Sequence, residues 1–211
     1  MNKKPFLLIS LLFLSSCTGF EFYQAAYNSI AGTVIPNNYS PISEDYFLAQ
    51  KYSFAMVKIG NKDPITMVLQ TTKDNIYRWV SADAEVIVTN KAGRIIKTIG
   101  LSHDVDYISL EKVDLFSLEK KITVKKLISF DYPELLKIKG IEHYEPDSNL
   151  YNYSYLQGKS IEVQKVNFLT EVPLISWSTD GFILLSNERV LASSQHIHPH
   201  FPRIDIYFYF K

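Results

Sequence analysis

Histidine, carboxylate and tyrosine side chains supply what chemistry this sequence could perform, and their spacing decides which of it is physically reasonable. His196, His198 and His200 alternate, so in an extended segment the three rings share one face and could ligate zinc or copper. Pro199 and Pro202 break that segment and no carboxylate stands at ligand spacing beside it, so these are expected to be surface loop and turn histidines without a metal. Ser102-His103-Asp104 carries the letters of a catalytic triad, but three consecutive side chains cannot converge in the order required, and no Gly-x-Ser-x-Gly elbow is present. Asp104 with Asp106, and Glu142 with Glu145, could furnish the two carboxyl groups of a glycosidase. Acidic pairs are common on solvated loops, so the chain is read as non-enzymatic, with a carbohydrate-active enzyme as the weakest alternative. Tyr151, Tyr153 and Tyr155 fall on one face of a predicted strand. Such a row offers flat apolar surface with hydroxyls at its edge, which suits sugar rings and equally suits sheet packing. Together with Trp79 it makes the candidate glycan contact.

The element that positions Trp79 is the most organised part of the chain. Arg78 to Leu101 reads as three short strands joined by tight turns centred on Asp83 and on Asn90 to Gly93. Val80, Val86, Ile87, Val88, Thr89, Ile95, Ile96 and Ile99 favour a pleated surface, and Gly93 can take the left-handed conformation that a side chain penalises. Arg78, Trp79, Ser81, Asp83, Gly93 and Gly100 are the structural residues of this meander, with Arg78 and Asp83 expected to pair or to cap its first turn.

From Tyr52 onward, short apolar runs alternate with turn residues. The expected strands are Tyr52 to Ile59, Ile65 to Thr71, Ile76 to Ser81, Glu85 to Asn90, Arg94 to Ile99, Lys121 to Phe130, Leu135 to Tyr144, Leu150 to Leu156, Ser160 to Leu169, Pro173 to Ser178, Phe182 to Leu185, Arg189 to Ser193 and Ile204 to Phe210. Leu101 to Glu119 is expected to be a solvated loop with at most one short element. No room remains for crossover helices, so neighbours pair antiparallel. So many strands in one open twisted sheet would curl or split, and the predicted class is all-β, a meander closing into a barrel-like or two-sheet body. Ser43 before Glu44 and Asp45 predicts one short helix over Ser43 to Gln50, and Phe20 to Ala31 has apolar residues near helical spacing.

The chain has 211 residues, enough for one sizeable core, and its 22 basic and 22 acidic residues leave no global field to attract nucleic acid. Asn2-Lys3-Lys4, the apolar run Phe6 to Leu14 and Leu14-Ser15-Ser16-Cys17 read as a signal peptide over residues 1–16 ending in a bacterial lipobox. That apolar run is far short of the roughly 20 residues of a spanning helix. Cys17, the only cysteine, is then the lipidated first residue, leaving no thiol for a disulfide, a nucleophile or a metal. Residues 17–40 form the tether and 41–211 one periplasmic all-β domain. Thr18 follows Cys17 where an aspartate would resemble an inner-membrane retention signal, which favours the outer membrane, periplasmic face. The expected short strands and the charges Lys58, Arg78, Glu85 and Lys97 favour a soluble body over a membrane barrel.

The run Trp79-Val80-Ser81-Ala82-Asp83, a strand ending Val88-Thr89, the turn with Gly93-Arg94 and the closing Thr98-Ile99-Gly100-Leu101 resemble the core motif of the YjbF/GfcB lipoproteins. Val190-Leu191-Ala192-Ser193-Ser194-Gln195-His196, followed by proline and a final strand, is similar to the same family, and within it only His196 falls on the Gln-His element. Where the family usually has Asp-Gly in the first turn, this chain has Asp83-Ala84, which argues against a two-residue I′ turn there. The resemblance implies a lipid-anchored accessory protein of group 4 capsule and extracellular polysaccharide export, without a cofactor. Its partners would be the membrane, export proteins of the same system and, in the alternative reading, the polysaccharide itself.

Overall fold

A computed structural model describes residues 40–187 and 189–211, of which Pro41–Lys211 form one compact unit. The leader, Cys17 and the expected helix over Phe20 to Ala31 lie outside the described residues. After helix α1 (Glu44–Ala49) come strands β1 (Phe54–Ile59), β2 (Ile65–Lys73), β3 (Ile76–Ser81), β4 (Val86–Asn90), β5 (Ile95–Ile99), β6 (Val105–Ser109), β7 (Ile122–Asp131), β8 (Glu134–Leu156), β9 (Lys159–Val172), β10 (Trp177–Ser186), β11 (Arg189–Gln195) and β12 (Ile204–Tyr209). Each strand pairs with its sequence neighbours, and β1 pairs antiparallel with β12, from Phe54 opposite Tyr209 to Ile59 opposite Ile204. The sheet is therefore a closed barrel, which leaves no edge strand exposed.

Alternation puts the apolar side of nearly every strand inside. Ala55, Val57, Ile87, Ile128, Phe168, Ile183, Ile206 and Phe208 pack in one cluster, so the interior is a filled core. Gly181 and Gly140 make room for it: a Cβ on Gly181 would stand 2.2 Å from Phe168 Cζ, and one on Gly140 2.4 Å from Ile128 Cδ1.

Both meander turns have the same build. Ala84 N donates to Ser81 O and Ser81 N to Glu85 O, and the second turn repeats this with Gly93 N to Asn90 O and Asn90 N to Arg94 O. These are three-residue loops whose last residue is left-handed, Ala84 at φ 63° and Gly93 at φ 84°. The first turn is thus not I′, and Ala84 carries the strain that glycine would avoid. Ser81 Oγ accepts the Glu85 amide hydrogen at 3.1 Å and fastens it. Arg78 does not pair with Asp83; its Nε donates to Gln70 Oε1 of β2 at 2.8 Å, because alternation points it outward beside that neighbour.

Several boundaries differ from the expectation. Leu101 to Glu119 contains β6, whose Val105 and Tyr107 are buried while Asp106 and Ile108 face out, an alternation masked by the acids around it. Leu135–Tyr144 and Leu150–Leu156 are one strand, β8, because β9 pairs continuously alongside and Pro146 to Leu150 becomes a bulge instead of a turn. Pro173–Ile175 is a 3-10 turn instead of a strand start, and β10 absorbs Phe182 to Leu185.

Helix α1 is capped by Ser43 Oγ, which accepts the Tyr46 amide hydrogen at 3.1 Å. It lies on the outside of the barrel, where Phe47 meets Phe54, Tyr155 and Tyr209 with ring centroids 6.4 to 6.5 Å apart. The outward Tyr209 of β12 is consequently buried as well, and its outward neighbour Tyr207 is also buried.

Candidate functional site

Two clusters of polar side chains among the described residues bear on function, one inside the barrel and one at an end of it. The first is built on Arg94, which the Asn90–Gly93 turn delivers into the interior. Glycine is needed at 93 for a second reason besides φ: a Cβ there would lie 2.6 Å from Val190 Cγ2. The Arg94 guanidinium lies between the rings of Tyr107 and Phe168, 4.9 and 4.7 Å from their centroids. Its Nε and Nη2 donate to Glu142 Oε1 at 2.9 and 2.7 Å, and its Nη1 to Gln195 Oε1 at 2.6 Å. Glu142 also accepts from Thr170 Oγ1, from the Tyr144 hydroxyl and from Lys126 Nζ, the last at 2.9 Å.

Gln195 bridges opposite walls. β11 and β5 are six strands apart in either direction round the barrel, yet Gln195 Nε2 donates to Gly93 O at 2.6 Å and its Oε1 accepts from Ile95 N at 2.9 Å. Two stretches singled out separately in the sequence, Gly93-Arg94 and the Ser-x-Gln-His run, thus meet through one hydrogen-bond network.

Burial by itself would raise the Glu142 carboxyl, but Arg94, Lys126 and the Tyr144 hydroxyl outweigh it and hold the group at about 2. Burial likewise opposes the charge on Arg94, and Glu142 more than restores it. The Tyr144 and Tyr107 hydroxyls are pushed up, first by burial. With Arg94 and Glu142 side chains 1% and 0% exposed, this is a sealed ionic centre joining the β4–β5 turn to β7, β8, β9 and β11, and no substrate can reach it. Glu142 and Glu145, three residues apart on one strand, point to opposite faces: Glu145 is 62% exposed beside Lys121. They do not form a facing carboxylate pair.

The remaining sequence candidates are dispersed. Trp79 is 1% exposed in the core, its Nε1 donating to Thr89 Oγ1 at 3.1 Å, so it presents no ring face outward. Of the tyrosine row, Tyr153 is buried, Tyr155 packs against Phe47 and Tyr209, and Tyr151 donates its hydroxyl to Asp147 Oδ2 at 2.5 Å. Tyr151 and Tyr155 stay half-buried. Asp104 spends both oxygens on the Gly100 and Leu101 amides, and Asp106 pairs with Lys97. A cavity of about 330 Å³ lies among Tyr77, Lys91, Asn187, Arg189, Val190 and Phe210, where β3, β11 and β12 approach the β4–β5 turn.

The alternating histidines are not one surface row. His196 stacks edge-on to Trp177 at 5.9 Å, whereas His198 turns inward, 0% exposed, because Pro199 and the loop that follows redirect the chain. This corrects the expectation of a surface histidine for His198 alone, since His196 is half-buried and His200 exposed. His198 instead meets His103 from the β5–β6 loop, with ring centroids 4.8 Å apart, and His200 at 5.7 Å. Nothing local in the sequence links His103 to His198. Among the described residues, no group of three or more His, Cys, Asp or Glu side chains is arranged to hold a metal ion.

The family model described as group 4 capsule polysaccharide lipoprotein gfcB, YjbF matches residues 27–208. Among solved structures, the hypothetical lipoprotein YmcC from Escherichia coli (K12) is similar in fold, with a TM-score of 0.68 and 13% sequence identity over 90% of this chain and 95% of that chain. No curated protein sequence matches.

Proposed function

The chain belongs to the YjbF family of group 4 capsule polysaccharide lipoproteins, and from that membership we propose that it is a lipid-anchored accessory protein of capsule or extracellular polysaccharide export. It acts from the periplasmic face of the outer membrane, as a scaffold or assembly factor for export proteins of the same system. Family membership carries this reading. The lipobox Leu14-Ser15-Ser16-Cys17 supports the anchor, since two or more acyl chains on one residue hold a protein stably in a bilayer. The filled apolar interior supports a body outside the membrane, because spanning barrels place their apolar band outward. The sealing of Glu142 and the engagement of both Asp104 oxygens support a non-catalytic role.

A second reading, direct polysaccharide binding, draws on the 330 Å³ cavity, where the Tyr77 and Phe210 rings stand beside Asn187 and Arg189. Tyr151 and Tyr155, half-buried on β8, are its other candidate contacts.

The test is membrane fractionation of the host with export measured in parallel. Wild-type chain is expected in the outer-membrane fraction, and Cys17→Ser in the soluble periplasmic fraction, with surface polysaccharide reduced. Unchanged fractionation and export in Cys17→Ser would overturn the anchored reading. Titrating the full chain with the host's polysaccharide fragments separates the two roles: saturable binding lost in Arg189→Ala or Tyr151→Ala supports direct binding, and silence supports the scaffold.

A further inference from the structure

The loop between β11 and β12 holds a device that the export reading does not use. His198 is fully buried, and its Nδ1 accepts the His200 amide hydrogen at 3.1 Å. That bond assigns the neutral tautomer with the proton on Nε2, and this Nε2–H has no hydrogen-bond partner among the described residues. Phe130 contacts the ring edge-to-face at 4.7 Å. From the β5–β6 loop it faces His103, from its own loop His200, and from the β7–β8 turn the Asp131 carboxylate and the Tyr132 backbone. Farther along its loop, His196 sits by Trp177, and Arg203 is held by Asp180 at 3.0 Å.

We propose that His198 makes the β11–β12 loop an acid-released latch: protonation of its ring breaks the His198–His200 turn and frees residues 196–203 from the barrel end.

The incoming proton has one place to go, the Nδ1 lone pair that already accepts the His200 amide hydrogen. Once protonated, that nitrogen is a donor facing a donor, so the turn cannot persist around a charged ring. A positive His198 would also hold its new Nδ1–H unpaired and away from water and repel any charge on His103 or His200, and the Asp131 carboxylate and Tyr132 backbone, which favour the charged ring, are outweighed. Each effect is relieved by moving the loop outward. Burial, followed by the His103 and His200 neighbours, lowers the His198 pKa from 6.5 to about 4. A base whose folded pKa is depressed stabilises the closed loop fully above 6.5 and loses that contribution as pH falls from 6.5 toward 4.

The latch also reaches the interior. Ile197 O accepts the Tyr107 hydroxyl hydrogen at 2.6 Å, and the Tyr107 ring lies against the Arg94 guanidinium. Opening the loop strips a bond from a tyrosine of the buried network and uncovers Ile197 and Phe201, both buried when it is closed. This gives an envelope protein a surface that forms or disappears with external acidity, independent of whether its partner is a protein or a polysaccharide.

The experiment is hydrogen exchange on the detergent-solubilised full chain from pH 7 to pH 4, expressed as protection relative to the intrinsic rate at each pH. Protection of residues 197–201 is expected to fall on the order of 100-fold across that range while β9 and β10 keep theirs. His198→Phe, which preserves a ring against Phe130, is expected to flatten the dependence. His103→Asn and His200→Asn, each removing a like charge, are expected to move its midpoint to higher pH. Loop protection that is independent of pH in the wild type, or equally pH-dependent in His198→Phe, overturns the latch. Should His198→Phe not fold, unmoved midpoints in both asparagine variants overturn it.

Discussion

Replacing Glu142 with glutamine perturbs the molecule where the most polar contacts converge. The carboxylate accepts from five donors: Arg94 Nε and Nη2 and Thr170 Oγ1 at Oε1, and Tyr144 and Lys126 at Oε2. Glutamine keeps the volume but turns one acceptor oxygen into an NH2 facing donors, and it leaves Arg94 and Lys126 without a counter-charge. Two routes give the same magnitude. A folded pKa of about 2 against 4.5 in the free group corresponds to about 3 kcal/mol at neutral pH. Removing one partner of a buried pair generally costs about 3–5 kcal/mol. Equilibrium urea unfolding of the full chain in detergent is expected to show that loss at pH 7 with an unchanged slope. Because the carboxyl pKa is depressed by folding, its contribution is present above 4.5 and lost as pH falls toward 2, so the wild type and Glu142→Gln should converge in acid. A loss under about 1 kcal/mol at pH 7, or a gap that stays constant down to pH 3, would refute the assignment of an ionised, structure-bearing Glu142.

Gly93→Ala should cost about 2–4 kcal/mol in the same assay, because the residue combines φ 84° with a Cβ position 2.6 Å from Val190 Cγ2. Ala84→Gly should do the opposite and stabilise by about 1 kcal/mol, since Ala84 holds φ 63° in an exposed turn; thermal unfolding reads the rise directly. Tyr107→Phe should cost about 1–3 kcal/mol by leaving the Ile197 carbonyl without its donor. In hydrogen exchange that loss should concentrate in residues 196–203.

The strands, most of their turns and the helix cap are written in local patterns. Period-two alternation names the inward face of β12 as Ile204, Ile206, Phe208 and Phe210, three of which are fully buried and the fourth packed against the core. Gly93 announces a left-handed turn position, and Ser43 its helix, because each reports on backbone within three or four residues. The family motifs are equally local. What these patterns do not carry is the sum of eleven hairpin registers, which brings Phe54 opposite Tyr209 and closes the barrel. Only the packing of α1 against the closed barrel decides that the outward Tyr209 is buried and that Tyr155 is partly covered. Inside, Arg94 and Gln195 stand 101 residues apart, and Arg94 and Glu142 48 apart. Read in sequence, Glu142 was as good a partner for Glu145 as for any cation. A strand's own pattern gives the side of the sheet on which a residue lies, whereas its partners across the barrel depend on every register in between, and that information exists only once the sheet has closed.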